Sequence, residues 1–202
     1  MLDMPENFDS IYFFTDLQNK YHVVPNLEQE AAESSESRFL NGSVGMYLNS
    51  RRVVPTLRET AAFHWDVAPL PMKEEAASIL HADGYCMPSA STQKENAWTF
   101  IEFANSVEGQ TIIAATGRTV PSLKAVAESP AFLNPALLPA SNQVFLDAIP
   151  IIRAFPILPF WAELEKVADD EIGRAYYGQT TIPEAVQAIL LRSEDVFVEN
   201  QK

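Results

Sequence analysis

Phe63-His64-Trp65-Asp66-Val67-Ala68-Pro69-Leu70-Pro71 is the stretch that decides how this chain is read. It follows Phe39-Leu40-Asn41-Gly42-Ser43-Val44-Gly45-Met46 at the distance of one helix, which gives the order strand, helix, strand. Pro69 and Pro71 remove backbone donors, so the second strand cannot go on pairing. A strand ended in this way leaves its sheet, and the residues after it belong elsewhere.

The chain has 202 residues, 47% of them hydrophobic, enough for a packed core in one domain or two small lobes. Lys and Arg total 14 against 27 Asp and Glu, and a net charge of -13 repels a phosphate backbone. Basic residues adjoin only at Arg51-Arg52, which argues against a nucleic-acid partner. The single cysteine, Cys86, excludes an internal disulfide and reads as a small buried hydrophobe. No apolar run reaches the roughly 18 residues of a spanning helix, and no basic-flanked apolar N-terminal stretch marks a signal peptide.

Outward from the opening stretch, apolar spacing predicts a helix over residues 7–20 and an acidic helix over 27–40, followed by a strand over Val44–Leu48. A helix over 51–62 must hold Pro55 in its first turn. Residues 79–87 read as extended, and Thr92-Gln93-Lys94-Glu95 has capping-box spacing. The helix after it carries Ala97, Trp98, Phe100, Ile101, Phe103 and Ala104, an apolar face wide enough to be covered on two sides. Its partner is the segment 110–115, closed by Gly117. Three prolines make 129–140 an irregular loop, and a short helix lies near Val144–Ile149. Thr181-Ile182-Pro183-Glu184 combines a capping box with proline in the first turn and opens the last helix.

These markers in order resemble the C-terminal portion of the family 1 extracellular solute-binding proteins of ABC sugar importers, the maltose-binding-protein-like family. The resemblance rests on Phe39-Leu-Asn-Gly with Met46, Trp65-Asp-Val-Ala-Pro-Leu-Pro71, Ala97-Trp98-Thr-Phe100-Ile101-Glu-Phe103, Glu108-Gly-Gln110, Gly117 to Pro121, and Gln179-Thr-Thr-Ile-Pro-Glu-Ala185. It implies an α/β chain that forms the C-terminal part of a two-lobe periplasmic-binding-protein-like fold, with the first lobe largely missing. Residues 1–67 would then be a C-terminal-lobe segment, 68–71 an inter-lobe crossing, 72–125 a segment of the N-terminal lobe, and 126–202 C-terminal-lobe helices. It further implies a noncatalytic protein that binds a sugar or oligosaccharide between its lobes and delivers it to an ABC permease. The intact protein would be periplasmic or extracellular and membrane-anchored, as a lipoprotein is.

Sugar recognition needs flat apolar rings for C–H faces and planar polar groups for hydroxyls. Trp161, after the proline-rich stretch ending at Pro159, is placed by the resemblance where the family stacks a tryptophan on its sugar; a core tryptophan at a helix start is the alternative. Arg51 and Arg52 occupy the turn where the family often presents Gly-X-Trp or Ser-X-Trp to the ligand, and the tryptophan is absent here. Two arginines at a helix N-terminus oppose its dipole. They are either a solvated pair balanced by an acidic side chain such as Glu59 or the seat of a carboxylate or phosphate on the ligand. Asn49 on the same turn, Tyr85 beside Gly84, and Arg118 after Gly117 are further candidates. For each the plain alternative is a self-bonded turn residue, a buried strand tyrosine, and a cap on the preceding helix.

The carboxylate runs at Glu28–Glu36 and Asp169–Glu171 read as solvated faces, and His22, His64 and His81 lack metal-ligand spacing. No cofactor loop or nucleophile elbow occurs, so nothing in the sequence supports an enzyme. In a partial lobe, unpaired sheet edges and weak or absent sugar binding are expected, and the edges open a route to dimerisation. A stand-alone interaction domain is the alternative function.

Overall fold

The computed structural model describes residues 5–72 and 74–200. In order its elements are α1 (Pro5–Asn19), α2 (Leu27–Ala32), α3 (Ser35–Leu40), α4 (Val54–Thr60), β1 (Ser78–Ile79), α5 (Lys94–Ala104) and α6 (Val107–Thr116). There follow α7 (Lys124–Ala127), α8 (Gln143–Asp147), β2 (Ile152–Arg153), α9 (Trp161–Tyr176) and α10 (Ile182–Glu199). They fall into two compact units. Unit 1 runs up to Ser37 and resumes at Pro156, and unit 2 is Arg38–Phe155. The crossing that the sequence predicts at 68–71 therefore lies inside unit 2.

Unit 1 is helical. Phe8 and Ile11 of α1 and Leu190 of α10 pack on a buried cluster of Ala175, Ile182, Ala185 and Val186. The capping box at the start of α10 forms as the sequence predicts: Thr181 Oγ1 accepts from the Glu184 N–H, and Glu184 Oε2 accepts from the Thr181 N–H at 3.0 Å. Such a cap contributes about 1 kcal/mol. Asn19 Nδ2 donates to the Ala175 carbonyl at 3.1 Å and ties α1 to α9. Glu171, buried on α9, accepts from Arg174 and from Arg192 of α10, each at 2.8 Å. A buried carboxylate is tolerable because two guanidinium groups meet it. The acidic helix predicted over 27–40 is broken at Glu33, which is extended, and the Ser34 hydroxyl accepts from the Ser37 N–H. A serine that captures a backbone donor ends one helix and starts another.

Unit 2 is organised by two buried clusters. Val54, Leu57 and Trp65 gather Phe39, Leu40, Val67 and Leu138, and Ala114, Val126 and Phe132 gather Val120, Leu123, Phe145 and Leu146. Ala114 of α6 is thereby packed with residues 120–146. Trp65 is the anchor of the opening nonapeptide, and Asp66 fixes it from the other side. Its carboxylate accepts from the Ser141 N–H at 2.9 Å, the Ser141 hydroxyl at 2.7 Å and the Val67 N–H at 2.9 Å. Beyond it Ala68–Pro71 is exposed and belongs to no ladder among the described residues.

The strand predicted over 44–48 is absent. Asn41 turns the chain by accepting from the Ser43 N–H, Gly42 takes the left-handed φ of 77° that this turn needs, and residues 44–50 pair with no strand among the described residues. The described sheet is one parallel pair, β1 with β2, in the register Ser78 to Ile152 and Ile79 to Arg153. Pro55 does lie in the first turn of α4, preceded by a 3-10 turn over Arg51–Val53. The helix α5 starts at Lys94 with Gln93 as its cap position and no side-chain capping bond. Ser91 Oγ instead accepts from the Gln93 N–H. The two-sided cover predicted for α5 is missing too: Trp98 is 54% and Phe100 59% exposed.

Candidate functional site

The turn 49–52 is the part of unit 2 where the candidate residues gather, and its geometry is set by Arg51. Arg51 is not solvated: it is only 6% exposed. Its guanidinium lies over the Phe132 ring at 4.3 Å and the Phe145 ring at 4.7 Å, and its Nη1 donates to Asn142 Oδ1 at 2.6 Å. Asn142 in turn donates to the Pro139 carbonyl at 2.7 Å. Loss of water, then the charge of nearby Arg58, lowers the Arg51 pKa to about 10, so it stays protonated at neutral pH. Its Nε and Nη2 are buried without a hydrogen-bond partner among the described residues. The cation is thus held by two π faces and one amide oxygen rather than by a carboxylate.

With Arg51 turned inward, Asn49 and Arg52 remain outward on the same turn. Asn49 donates from Nδ2 to the Tyr47 hydroxyl and accepts at Oδ1 from the Ser50 N–H at 2.7 Å. This is the self-bonded turn asparagine. The Arg52 guanidinium is offered to solvent.

Arg118 is exposed and does not cap α6. That role belongs to Arg58, which the sequence reading passed over: Nη1 donates to the Ala115 carbonyl at 3.2 Å and Nε to the Leu138 carbonyl at 2.6 Å. Gly117 makes room for it. It ends α6 at a φ of 83°, and a Cβ there would lie 2.6 Å from Arg58 Nη1 and 2.8 Å from Val54 Cγ1. The one sequence signal was the i, i+7 spacing of Arg51 and Arg58, which places two arginines on one side of a short helix.

Tyr85 is a surface residue with its ring edge-on to Phe100 at 5.7 Å, not a buried strand tyrosine. Cys86, predicted buried, is exposed. An open depression of about 360 Å³ at the start of α5 is lined by Ser91–Asn96 alone, and one contiguous segment does not enclose a ligand. Trp161 belongs to unit 1, where it is the half-buried first residue of α9 and donates its N–H to the Leu158 carbonyl at 3.1 Å. Among the described residues no group of three or more His, Cys, Asp or Glu is placed to hold a metal ion. The described helices include none long and apolar enough to cross a membrane.

This fold is found in two-lobe substrate-binding proteins. The ABC substrate-binding protein Lmo0181 of Listeria monocytogenes, solved in complex with cycloalternan, superposes on 97% of this chain with a TM-score of 0.81 at 18% identity. The maltose-maltodextrin binding protein of Alicyclobacillus acidocaldarius superposes on 95% with a TM-score of 0.77 at 16% identity. Maltose-bound MalE3 of T. maritima superposes on 98% with a TM-score of 0.76 at 24% identity. The chain spans 50% of the first of these proteins and 51% of the other two, so it is a partial form of their α/β fold, mostly helical with a small sheet. Binding proteins of Brucella abortus and Brucella suis are 25% identical over 165 residues, which are 80% of this chain and 39% of theirs.

The sequence model of the bacterial extracellular solute-binding proteins matches residues 6–140, more than half of the chain. The chain belongs to this family, and it corresponds to a C-terminal portion of it.

Proposed function

We propose that the chain is part of an ABC-importer substrate-binding protein that takes a sugar or oligosaccharide between two lobes and passes it to a membrane permease. The observation that carries this reading is the fold match, at TM-scores of 0.76 to 0.81, to three proteins whose ligands are maltose, maltodextrin or cycloalternan. In this reading Trp161 is a candidate ring for a sugar face, and Tyr85, Asn49, Arg52 and Arg118, each taken by itself, are candidate polar or amphipathic groups. Arg51 acts from beneath, as a positioning residue that keeps the 49–52 turn seated. The chain passes between lobes at Ala68–Pro71, and the intact protein works outside the cytoplasmic membrane. No step of bond-making is involved, and ligand energy is used to favour the closed arrangement of lobes.

Deleting the gene in its host and following uptake of labelled maltose, maltodextrins and cycloalternan tests the reading. Uptake of at least one should fall about tenfold or more, the scale of a 1.4 kcal/mol loss in capture. Unchanged uptake of all three overturns it. The 202-residue chain alone should show weak or undetectable calorimetric heat with the same glucans, because it spans 50% of the length of the first of these proteins.

A further inference from the structure

Asn41-Gly42 is the single Asn-Gly pair of the chain, and the fold leaves it in the open. There α3 ends in a Schellman cap: the Gly42 N–H donates to the Phe39 carbonyl at 3.1 Å and the Ser43 N–H to the Arg38 carbonyl at 2.9 Å, with Gly42 at a φ of 77°. Asn41 and Gly42 are both exposed, and no atom lies within 4 Å of where a Cβ on Gly42 would stand. Solvent therefore reaches the pair. The Asn41 side chain bends over its own turn, and its Oδ1 accepts from the Ser43 N–H at 2.9 Å and from the Ser43 hydroxyl. Two donors on one oxygen polarise the carboxamide and stabilise the negative charge that grows there when a nucleophile adds to Cγ. The nearest main-chain nucleophile is the Gly42 nitrogen, and glycine has no Cβ to hold it off.

We propose that Asn41 is a site of spontaneous covalent modification. The Gly42 nitrogen gives its proton to solvent and bonds to Asn41 Cγ, the Cγ–Nδ2 bond breaks, and the amide leaves as ammonia with a proton taken back from solvent. One water then opens the cyclic imide at either carbonyl, giving aspartate or isoaspartate. In the folded chain the Phe39 carbonyl holds the Gly42 N–H, so the cap must open before each attack and sets the pace. Asn49 supplies the contrast on the same stretch, because Ser50 brings a Cβ and its N–H already donates to Asn49 Oδ1 at 2.7 Å. The product bears on unit 2: a carboxylate at the end of α3 opposes the helix dipole, and isoaspartate adds one carbon to the main chain inside the cap. Phe39 and Leu40, just before it, pack on the cluster of Val54, Leu57 and Trp65. The inference is independent of the sugar reading.

Ageing the full chain in mildly alkaline buffer and mapping it with trypsin tests the proposal, since the peptide Phe39–Arg51 carries both asparagines. Fragmentation that separates aspartate from isoaspartate should find both at position 41. They should form about tenfold or more faster than any product at position 49, a barrier difference of about 1.4 kcal/mol. Ammonia loss at 41 no faster than at 49, or aspartate at 41 without isoaspartate, overturns the proposal. In urea, with the cap gone, conversion at 41 should be faster than in the folded chain. Equal rates in the two states overturn the role given to the cap.

Discussion

Unit 1 and unit 2 solve the same problem with opposite means. In unit 1 most of the order is local or helical: a capping box starts α10, small Ala175 and Ala185 let α9 and α10 approach, and Glu171 bridges them through two arginines. In unit 2 the order comes from side chains that reach far along the chain into irregular backbone. Arg51 meets Asn142, Arg58 meets Leu138 and Ala115, Asp66 meets Ser141, and Gln110 holds both the Ser122 hydroxyl and the Leu123 N–H. A helix satisfies its own backbone, whereas a loop or unpaired strand must be satisfied from elsewhere. Unit 2 is therefore the part whose backbone relies more on side chains distant in sequence.

The comparison breaks most clearly at Phe132, the largest fully buried side chain and a wall of the Arg51 sandwich. Phe132→Ala should cost about 3–5 kcal/mol. In single-tryptophan variants, Trp65 fluorescence should melt earlier while Trp161 reports an unchanged unit 1. A coincident shift of both would show that the units unfold as one.

A sharper and smaller contrast separates Arg51 from its partner. Asn142→Ala leaves a third buried Arg51 donor unmet and should cost about 1–3 kcal/mol in urea unfolding. Arg51→Met, which removes the charge and keeps the stem between two rings, should fall within about 1 kcal/mol of the parent or exceed it. If Arg51→Met is the worse of the two, the cation is held more favourably than two unmet donors allow.

The smallest effect is one of pH. Burial alone would raise the Asp66 pKa, but the Ser141 N–H and hydroxyl and the Val67 N–H outweigh it and hold it below the ordinary 3.8. A carboxylate with a depressed folded pKa stabilises fully above its unfolded value and loses that contribution as pH falls through the folded one. Asp66→Asn should flatten the acid limb of unit 2 stability below about pH 4 and leave unit 1 unaltered. An unchanged acid limb in thermal melts from pH 5 to 2 would remove Asp66 from the account.

What was legible in the sequence follows the same divide. The Thr181 to Glu184 cap, Pro55 in its first turn, Gly117 at a helix end and Trp161 at a helix start are all set within a few residues, and each is found where the sequence puts it. The order of the motifs carried the family. Missed were features decided at a distance: periodicity marks 44–48 as strand-like but cannot supply its neighbour, and the breadth of apolar α5 predicts a two-sided cover where Trp98 and Phe100 are exposed. Arg51 and Arg58 look alike beside Arg52, yet distant partners decide their fate: the rings of Phe132 and Phe145 take Arg51, and the carbonyls of Ala115 and Leu138 take Arg58. For the candidate turn the sequence named Arg51 and Arg52 alike, and the structure buries the first and exposes the second.

Gly117 carries a consequence for how such a sequence drifts. Its left-handed φ excludes most side chains, and the space above it is already taken by Arg58 and Val54. Positions 54, 58 and 117 therefore form one unit of inheritance, in which a side chain at 117 becomes admissible only after 58 has shortened and the carbonyls of Ala115 and Leu138 have found another donor.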